Sequence, residues 1–276
     1  MNEQLQRKVE QSVKFLQSAC RGKQVELCYS GGKDSDVILE LAKMAGIDFV
    51  PIYKDTTIDP PGTKAHCREK GVEIRKPPVT FMQCIERGGF PSRFRRHCCD
   101  HLKEYKIMDH AIQGIRRSES TARAARYTEP TMCRFYGSKK NHVEVFMPIL
   151  EWSADDVADF ITEYNVKCHP LYYDDDGTFH VERRLGCLCC PLASRKKRIE
   201  EFKKYPNMLK YYILGGGKFF AKHPNSKILT YFNDPYEWLL FTLTCDKLQE
   251  FDYKFGVYGA RADCKAILER MFNTKL

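Results

Sequence analysis

The chain has no long apolar run. No stretch of its 276 residues approaches the roughly 20 apolar residues that a membrane helix needs. The opening segment MNEQLQRKVE is polar where a secretory signal would carry an apolar core. The expectation is a cytoplasmic protein with no membrane partner. The chain also lacks internal repeats and low-complexity linkers. It does not lack apolar residues: at 43% hydrophobic it can bury a sizeable core, and it is not disordered by composition. Acidic residues are outnumbered by basic ones, 36 to 45, for a net charge of +9. That balance favours a polyanionic ligand such as a nucleotide or nucleic acid and says nothing about fold.

In a reducing compartment the 13 cysteines are not a disulfide framework. Those that cluster read as metal ligands or sulfur chemistry. The isolated Cys20, Cys28, Cys84, Cys245 and Cys264 read as small buried apolar residues, and Cys67, Cys133 and Cys168 take the same bland reading.

Residues 3–19 carry Leu5, Val9, Val13 and Leu16 at helical spacing, with Phe15 at the edge of the stripe. QVELCYS reads as a buried strand, and Asp34 to Ala45 as a helix closed by Gly46. DFVPIYKDT, GVEIRKP and HVEVFMPI read as further strands. SADDVADFITEY reads as a helix with Ser153 as N-cap and Asp156 at its third position. Strands alternating with helices predict an α/β fold, a doubly wound parallel sheet whose ligand site lies at the carboxyl ends of the strands. The texture changes after about residue 165 into a Cys-, Gly- and Asp-rich loop and then a mostly helical, aromatic-rich remainder. The expected division is an α/β nucleotide-binding domain over residues 1–165 and a helical subdomain over 166–276.

Between the first strand and its helix stands SGGKDS, Ser30 to Ser35. The chain lacks the four-residue spacing of an ordinary P-loop, and this turn is not a dinucleotide fingerprint. Its physical logic is still that of an anion site. Gly31 and Gly32 let backbone amides face an anion, Ser30 and Ser35 add hydroxyls, the helix start adds its positive end, and Lys33 adds charge. Asp34 fits beside a phosphate if it caps the helix or holds a cation such as Mg²⁺.

YSGGKDS resembles the pyrophosphate-binding loop of the adenine nucleotide alpha-hydrolase-like superfamily, the PP-loop ATP pyrophosphatases. YKDTTIDPPGT, GGFPSRFRRHCCDHLK, GIRRSESTAR and PILEWSADDVADFI…HPLY…RLGCLCCP resemble, in order, the motifs of its phosphoadenosine phosphosulfate reductase-like family. The resemblance covers residues 24–195. It implies an adenine nucleotide held by Ser30, Gly31, Gly32, Lys33, Asp34 and Ser35 together with Asp55, Arg116 and Arg117. Lys33, Asp34, Arg116 and Arg117 are then the candidate catalytic residues.

Cys98-Cys99 and Cys187-x-x-Cys190 form a CC…CxxC set. Adjacent cysteines strain to ligate one tetrahedral Zn²⁺ together, whereas a [4Fe–4S] cluster offers separate irons. A cluster, zinc and no metal all remain open on these residues alone. Iron–sulfur sulfonucleotide reductases carry the same pattern, so the resemblance implies Cys98, Cys99, Cys187 and Cys190 as cluster ligands. Cys189 is open between ligand, free thiol and packing residue. Arg93 to Arg96 form a candidate anion-facing wall. SRKKRIEEFKK reads as a solvated helix face, and Lys103 as a residue near substrate or cluster, or simply at the surface.

Three functions fit. The first is an ATP pyrophosphatase-type enzyme using ATP with Mg²⁺ for adenylation-linked sulfur chemistry, with a nucleic-acid substrate or a partner protein supplying specificity. The second is a sulfonucleotide reductase forming sulfite. The third is a non-catalytic nucleotide or redox sensor. The Gly-Gly-Lys-Asp core favours the first. Assimilatory reductases generally depart from that core and carry a C-terminal Glu-Cys-Gly-x-x-His-like tail, whereas Cys264 here sits in the helical pattern RADCKAILER.

Overall fold

A computed structural model of the chain describes residues 3–136, 141–257 and 260–276. In order the elements are α1 (Glu3–Ala19), β1 (Val25–Tyr29), α2 (Lys33–Ala45), β2 (Phe49–Lys54), α3 (Thr63–Glu69), β3 (Glu73–Arg75), α4 (Phe81–Gly88), α5 (His97–Leu102) and β4 (His110–Ile112). There follow α6 (Thr121–Arg126), β5 (Thr131–Tyr136), β6 (Asn141–Phe146), α7 (Ala154–Glu163), α8 (Arg195–Lys204), α9 (Pro206–Lys222), α10 (Pro235–Thr244), α11 (Leu248–Phe255) and α12 (Cys264–Phe272).

The chain forms two compact units, residues 1–77 with 103–186 and residues 78–102 with 187–276. The division thus runs after Gly186 rather than at residue 165, and a segment from the first half of the chain joins the second unit. The sequence hid this because 78–102 enters and leaves the second unit without any change in composition.

The first unit holds a six-stranded sheet in the order β3-β2-β1-β4-β6-β5. All pairs are parallel except β5 with β6, which is an antiparallel edge hairpin. The α/β reading therefore holds, with one antiparallel strand that the sequence pattern did not separate from its neighbours. Strand order reverses at β1, which is flanked by β2 and β4. A crevice opens at such a switch point because the connections on either side leave in opposite directions.

The elements form for local reasons. The α1 stripe buries Leu5, Val9 and Leu16 as its spacing predicts. The last turn of α2 ends on Gly46 in the left-handed region (φ 61°). Ser153 and Asp156 make the expected capping box of α7. Leu16, Leu27, Ile38, Leu41, Phe146 and Phe160 pack into one core, which fixes the carboxyl end of β1.

The second unit is helical and rich in aromatic contacts. Tyr212 is fully buried and packs on Phe81 and Phe202, with ring centroids 5.3 Å away in each case. Phe90 lies 4.3 Å from Trp238.

Candidate functional site

The chain leaves β1 at Tyr29 and enters α2 at Lys33, so three residues must reverse the backbone. Gly31 does this at φ +78°, and a Cβ there would stand 2.9 Å from the Thr63 methyl. Both the angle and the space demand glycine. Ser30 Oγ lies 3.3 Å from Ser35 Oγ, and Ser35 Oγ donates to the Gly32 carbonyl at 2.6 Å. These bonds tie the two ends of the turn together.

Asp34 does not cap α2. The N-cap is Gly32, with no side-chain cap. Instead Asp34 Oδ1 accepts from Arg116 Nε at 2.6 Å, and Oδ2 lies 3.2 Å from Lys33 Nζ. Arg116 is buried, and its NH1 donates to Ser118 Oγ at 3.0 Å. The loop after β4 approaches so closely that a Cβ on Gly114 would stand 2.9 Å from the Asp34 carbonyl oxygen. This explains the glycine that opens GIRRSES. Lys33 is buried too, with its ammonium 5.4 Å from the centre of the Tyr172 ring.

Two cavities open here and share Cys28 and Ser30. One, of about 210 Å³, is lined by the Gly-rich turn, Lys33, Arg123, Arg184 and Tyr172, with Asp34 and Glu119. Both carboxylates already face arginine: Asp34 meets Arg116, and Glu119 meets Arg123 and Arg184. Burial and the neighbouring Arg184 push the Arg123 pKa down. The other cavity, of about 220 Å³, runs along the ends of β1 and β2 past Tyr53, Ile107, Gln113 and Tyr136. Glu26 and Lys54 also line it, and both are buried. Lys54 Nζ lies 2.9 Å from Glu26 Oε1 without a well-aligned hydrogen bond. Cys28, expected to be inert packing, lines both cavities and is half-buried. Burial and Glu26 push its thiol up to about 12.

Among the sequence candidates, Ser30, Gly32, Lys33, Asp34 and Ser35 line the anion cavity. Gly31 shapes the loop from beneath, and Arg116 acts through Asp34. Arg117 turns to the surface, where NH1 pairs with Glu151 at 3.0 Å. Asp55 is buried beside the crevice; its carboxylate accepts from Thr57 N at 2.9 Å and meets Lys64 at 2.7 Å. Lys103 lines the cavity along β1 and β2. Sequence reasoning missed a buried network under the loop. Asp36 accepts from the Tyr29 hydroxyl and lies 2.9 Å from His66 Nε2; His66 packs edge-on to His169 at 5.8 Å, and His169 Nε2 lies 3.4 Å from Thr63 Oγ1. Burial and the adjacent His66 push the His169 pKa down.

The four candidate cysteine ligands all fall in the second unit. A hydrogen bond with Cys99, burial, and the nearby Cys187 and Cys190 thiols push the Cys98 pKa far up. Among the described residues, no three His, Cys, Asp or Glu side chains are arranged to hold one metal ion. Cys189 is fully buried with φ +53°. Its N–H donates to Glu201 Oε2 at 2.7 Å and its carbonyl accepts from the Tyr212 hydroxyl at 2.8 Å. It is thus the pinned centre of the CxxC turn. Next to it, Arg198 is buried; its terminal nitrogens donate to the Thr242 carbonyl and hydroxyl, and its Nε has no hydrogen-bond partner. A buried guanidinium served by neutral oxygens beside Cys189 and Cys190 fits a site built for an anionic cysteine-bound group.

The phosphoadenosine phosphosulfate reductase domain matches residues 24–193. The chain belongs to this family. The matched span holds all five motifs, from YSGGKDS to the cysteine-rich RLGCLCCP segment. The chain is 29% identical over 228 residues to an uncharacterized protein of Methanocaldococcus jannaschii, covering 76% of this chain and 52% of that protein. It is 30% identical over 152 residues to an uncharacterized 37.8 kDa protein of Escherichia phage 186, covering 50% and 42%. The chain spans about half the length of these relatives. Among solved structures, a phosphoadenylyl-sulfate reductase of Candida auris in a phosphate complex aligns with a TM-score of 0.46 at 15% identity, over 68% of this chain and 95% of that one. An FMN adenylyltransferase of Candida glabrata in complex with ATP aligns with a TM-score of 0.43 at 17% identity, over 65% and 62%. Among the described residues, no helix is long and apolar enough to cross a membrane.

Proposed function

We propose that this member of the family binds ATP with Mg²⁺ and cleaves it to AMP and pyrophosphate while adenylating an acceptor. The observation that carries the reading is the anion cavity at the turn Ser30–Ser35, where the α2 N-terminus, Lys33, Arg123 and Arg184 face a space whose carboxylates are already bonded to arginine. Lys33 neutralises phosphate charge, to which a bound Mg²⁺ would add, and the adenosine extends along β1 and β2. An acceptor oxygen attacks the α-phosphorus, the bond to the bridging oxygen breaks, and pyrophosphate leaves with its electron pair while the acceptor proton passes to solvent. Holding the phosphates in line and neutralising their charge do most of the work. A sulfide or persulfide co-reactant then displaces AMP from the acceptor.

Cys98, Cys99, Cys187 and Cys190 would hold a [4Fe–4S] cluster, which supplies sulfur-binding or electron-transfer chemistry when bound. The alternative occupant is zinc. The adjacent pair Cys98-Cys99 supports a cluster, whose ligands sit on separate irons, over a single tetrahedral ion. The acceptor this reading favours is a nucleic acid, alone or brought by a partner protein.

The family match favours a second reading, reduction of a sulfonucleotide to sulfite. One experiment separates the two. Anaerobic protein is incubated with ATP and, separately, with adenylyl sulfate and its 3′-phosphate form. AMP with pyrophosphate from ATP supports the first reading. Sulfite from either sulfonucleotide, with ATP untouched, replaces it with the second.

A further inference from the structure

The net charge is not spread over the chain. The first unit carries 25 Lys and Arg against 25 Asp and Glu, and the second carries 20 against 11. The whole excess of +9 therefore belongs to the second unit, while the anion cavity of the nucleotide site lies in the neutral first unit. A cationic surplus outside the nucleotide site needs another explanation than ATP.

Part of that surplus has a defined form. Residues 93–96 are all exposed, and Phe94 stands fully in solvent (101% relative exposure) between Arg93 and Arg95. This stretch leads directly into Cys98. On the other side of the cysteine set, α8 follows Cys190 and presents Lys196, Lys203 and Lys204 to solvent, with Glu200 as an exposed acid among them. Leaving a phenylalanine in water forgoes about 2 kcal/mol of burial, and nothing in the fold repays it. An aromatic face flanked by guanidinium groups is what an unpaired base and its phosphates require: the ring stacks on the base and the arginines neutralise the backbone. A duplex does not satisfy this ring, because its bases are already stacked on one another.

We infer that the second unit binds single-stranded nucleic acid, with a base stacked on Phe94 and the strand's phosphates on Arg93, Arg95 and the lysines of α8. The inference rests on the nucleic-acid part of the proposed function and not on ATP cleavage. The test is therefore made without nucleotide, so that its failure and the failure of the ATP reading are separate results.

The full chain is titrated into short fluorescein-labelled single strands of DNA and of RNA, and into a duplex, and anisotropy is followed over a range of salt concentrations. Single strands are expected to bind more tightly than the duplex, and the tighter of the two identifies the sugar that is read. Phe94→Ala should weaken single-strand binding by about 10-fold and leave the salt slope unchanged. Joint Arg93→Ala and Arg95→Ala substitution should lower the slope of log affinity against log salt by about 1.4. All three side chains are exposed, so melting curves of the variants should match wild type. Absence of salt-dependent binding to either strand at low salt overturns the inference. So does a duplex bound more tightly than the single strands, or a Phe94→Ala protein that binds as wild type does.

Discussion

Arg116 Nε donates to Asp34 Oδ1 at 2.6 Å. Eighty-two positions apart in the chain, these residues join the start of α2 to the loop after β4. The aspartate of the Gly-rich turn thereby becomes the anchor of the anion site rather than a cap. Removing one member of a buried ion pair strands the other. Arg116→Ala should cost about 3 kcal/mol of stability and weaken ATP binding, whereas Arg116→Lys should recover part of the stability. Denaturant titration with and without ATP checks both, and an Arg116→Ala protein as stable as wild type contradicts the anchor.

Lys33 is buried within the anion cavity. Losing one charge-assisted hydrogen bond to phosphate costs about 1.5–3 kcal/mol, so Lys33→Ala should raise the dissociation constant for ATP by about 10- to 100-fold. Adenosine, which has no phosphate, should bind wild type and variant alike. Isothermal titration with both ligands separates phosphate recognition from general damage to the site.

Anaerobically purified protein should be brown, with broad visible absorbance that is lost in Cys187→Ser. Cys189→Ala should keep the colour, because Cys189 lies buried behind the CxxC turn with its backbone held by Glu201 and Tyr212. Colourless wild-type protein with one tightly held zinc ion would sink the cluster.

Arg198 is a buried cation beside Cys189 and Cys190, with an Nε that has no hydrogen-bond partner. A cation at that place stabilises the more negative, reduced form of a cysteine-bound cluster. Arg198→Met should move the midpoint potential to a more negative value in an EPR-monitored titration, and Arg198→Lys should move it less. An unchanged potential in a fully loaded Arg198→Met protein counts against this role.

Burial and the adjacent His66 push the pKa of His169 below the ordinary histidine value. The unfolded chain then binds more protons than the folded one at mildly acidic pH, so stability rises with pH there. The contribution is fully present above about pH 6.5 and is lost as pH falls from there through the depressed folded value. The melting temperature should therefore drop between neutral and mildly acid pH, and His169→Gln should flatten part of that slope.

The sequence by itself determined what depends on neighbours in the chain. The α1 stripe, the Gly46 stop, the Ser153 capping box and the Ser30–Ser35 turn are all local patterns, and a local pattern keeps its meaning wherever the segment is placed. The family could be read for the same reason, since five short motifs stand in order. Only the tertiary structure decided the rest. Asp36 acquires His66 from 30 residues away, and no periodicity announces that pairing. Arg117 stands next to Arg116 yet turns to Glu151 at the surface, because the strand-like backbone at Arg116 (φ −123°, ψ 137°) sends successive side chains to opposite sides. The segment 78–102 leaves the first unit for the second, and this brings Cys98 and Cys99 into the unit of Cys187 and Cys190. Contacts of that kind form because buried groups must find partners wherever the chain can supply them, and the sequence alone does not reveal which partners those are.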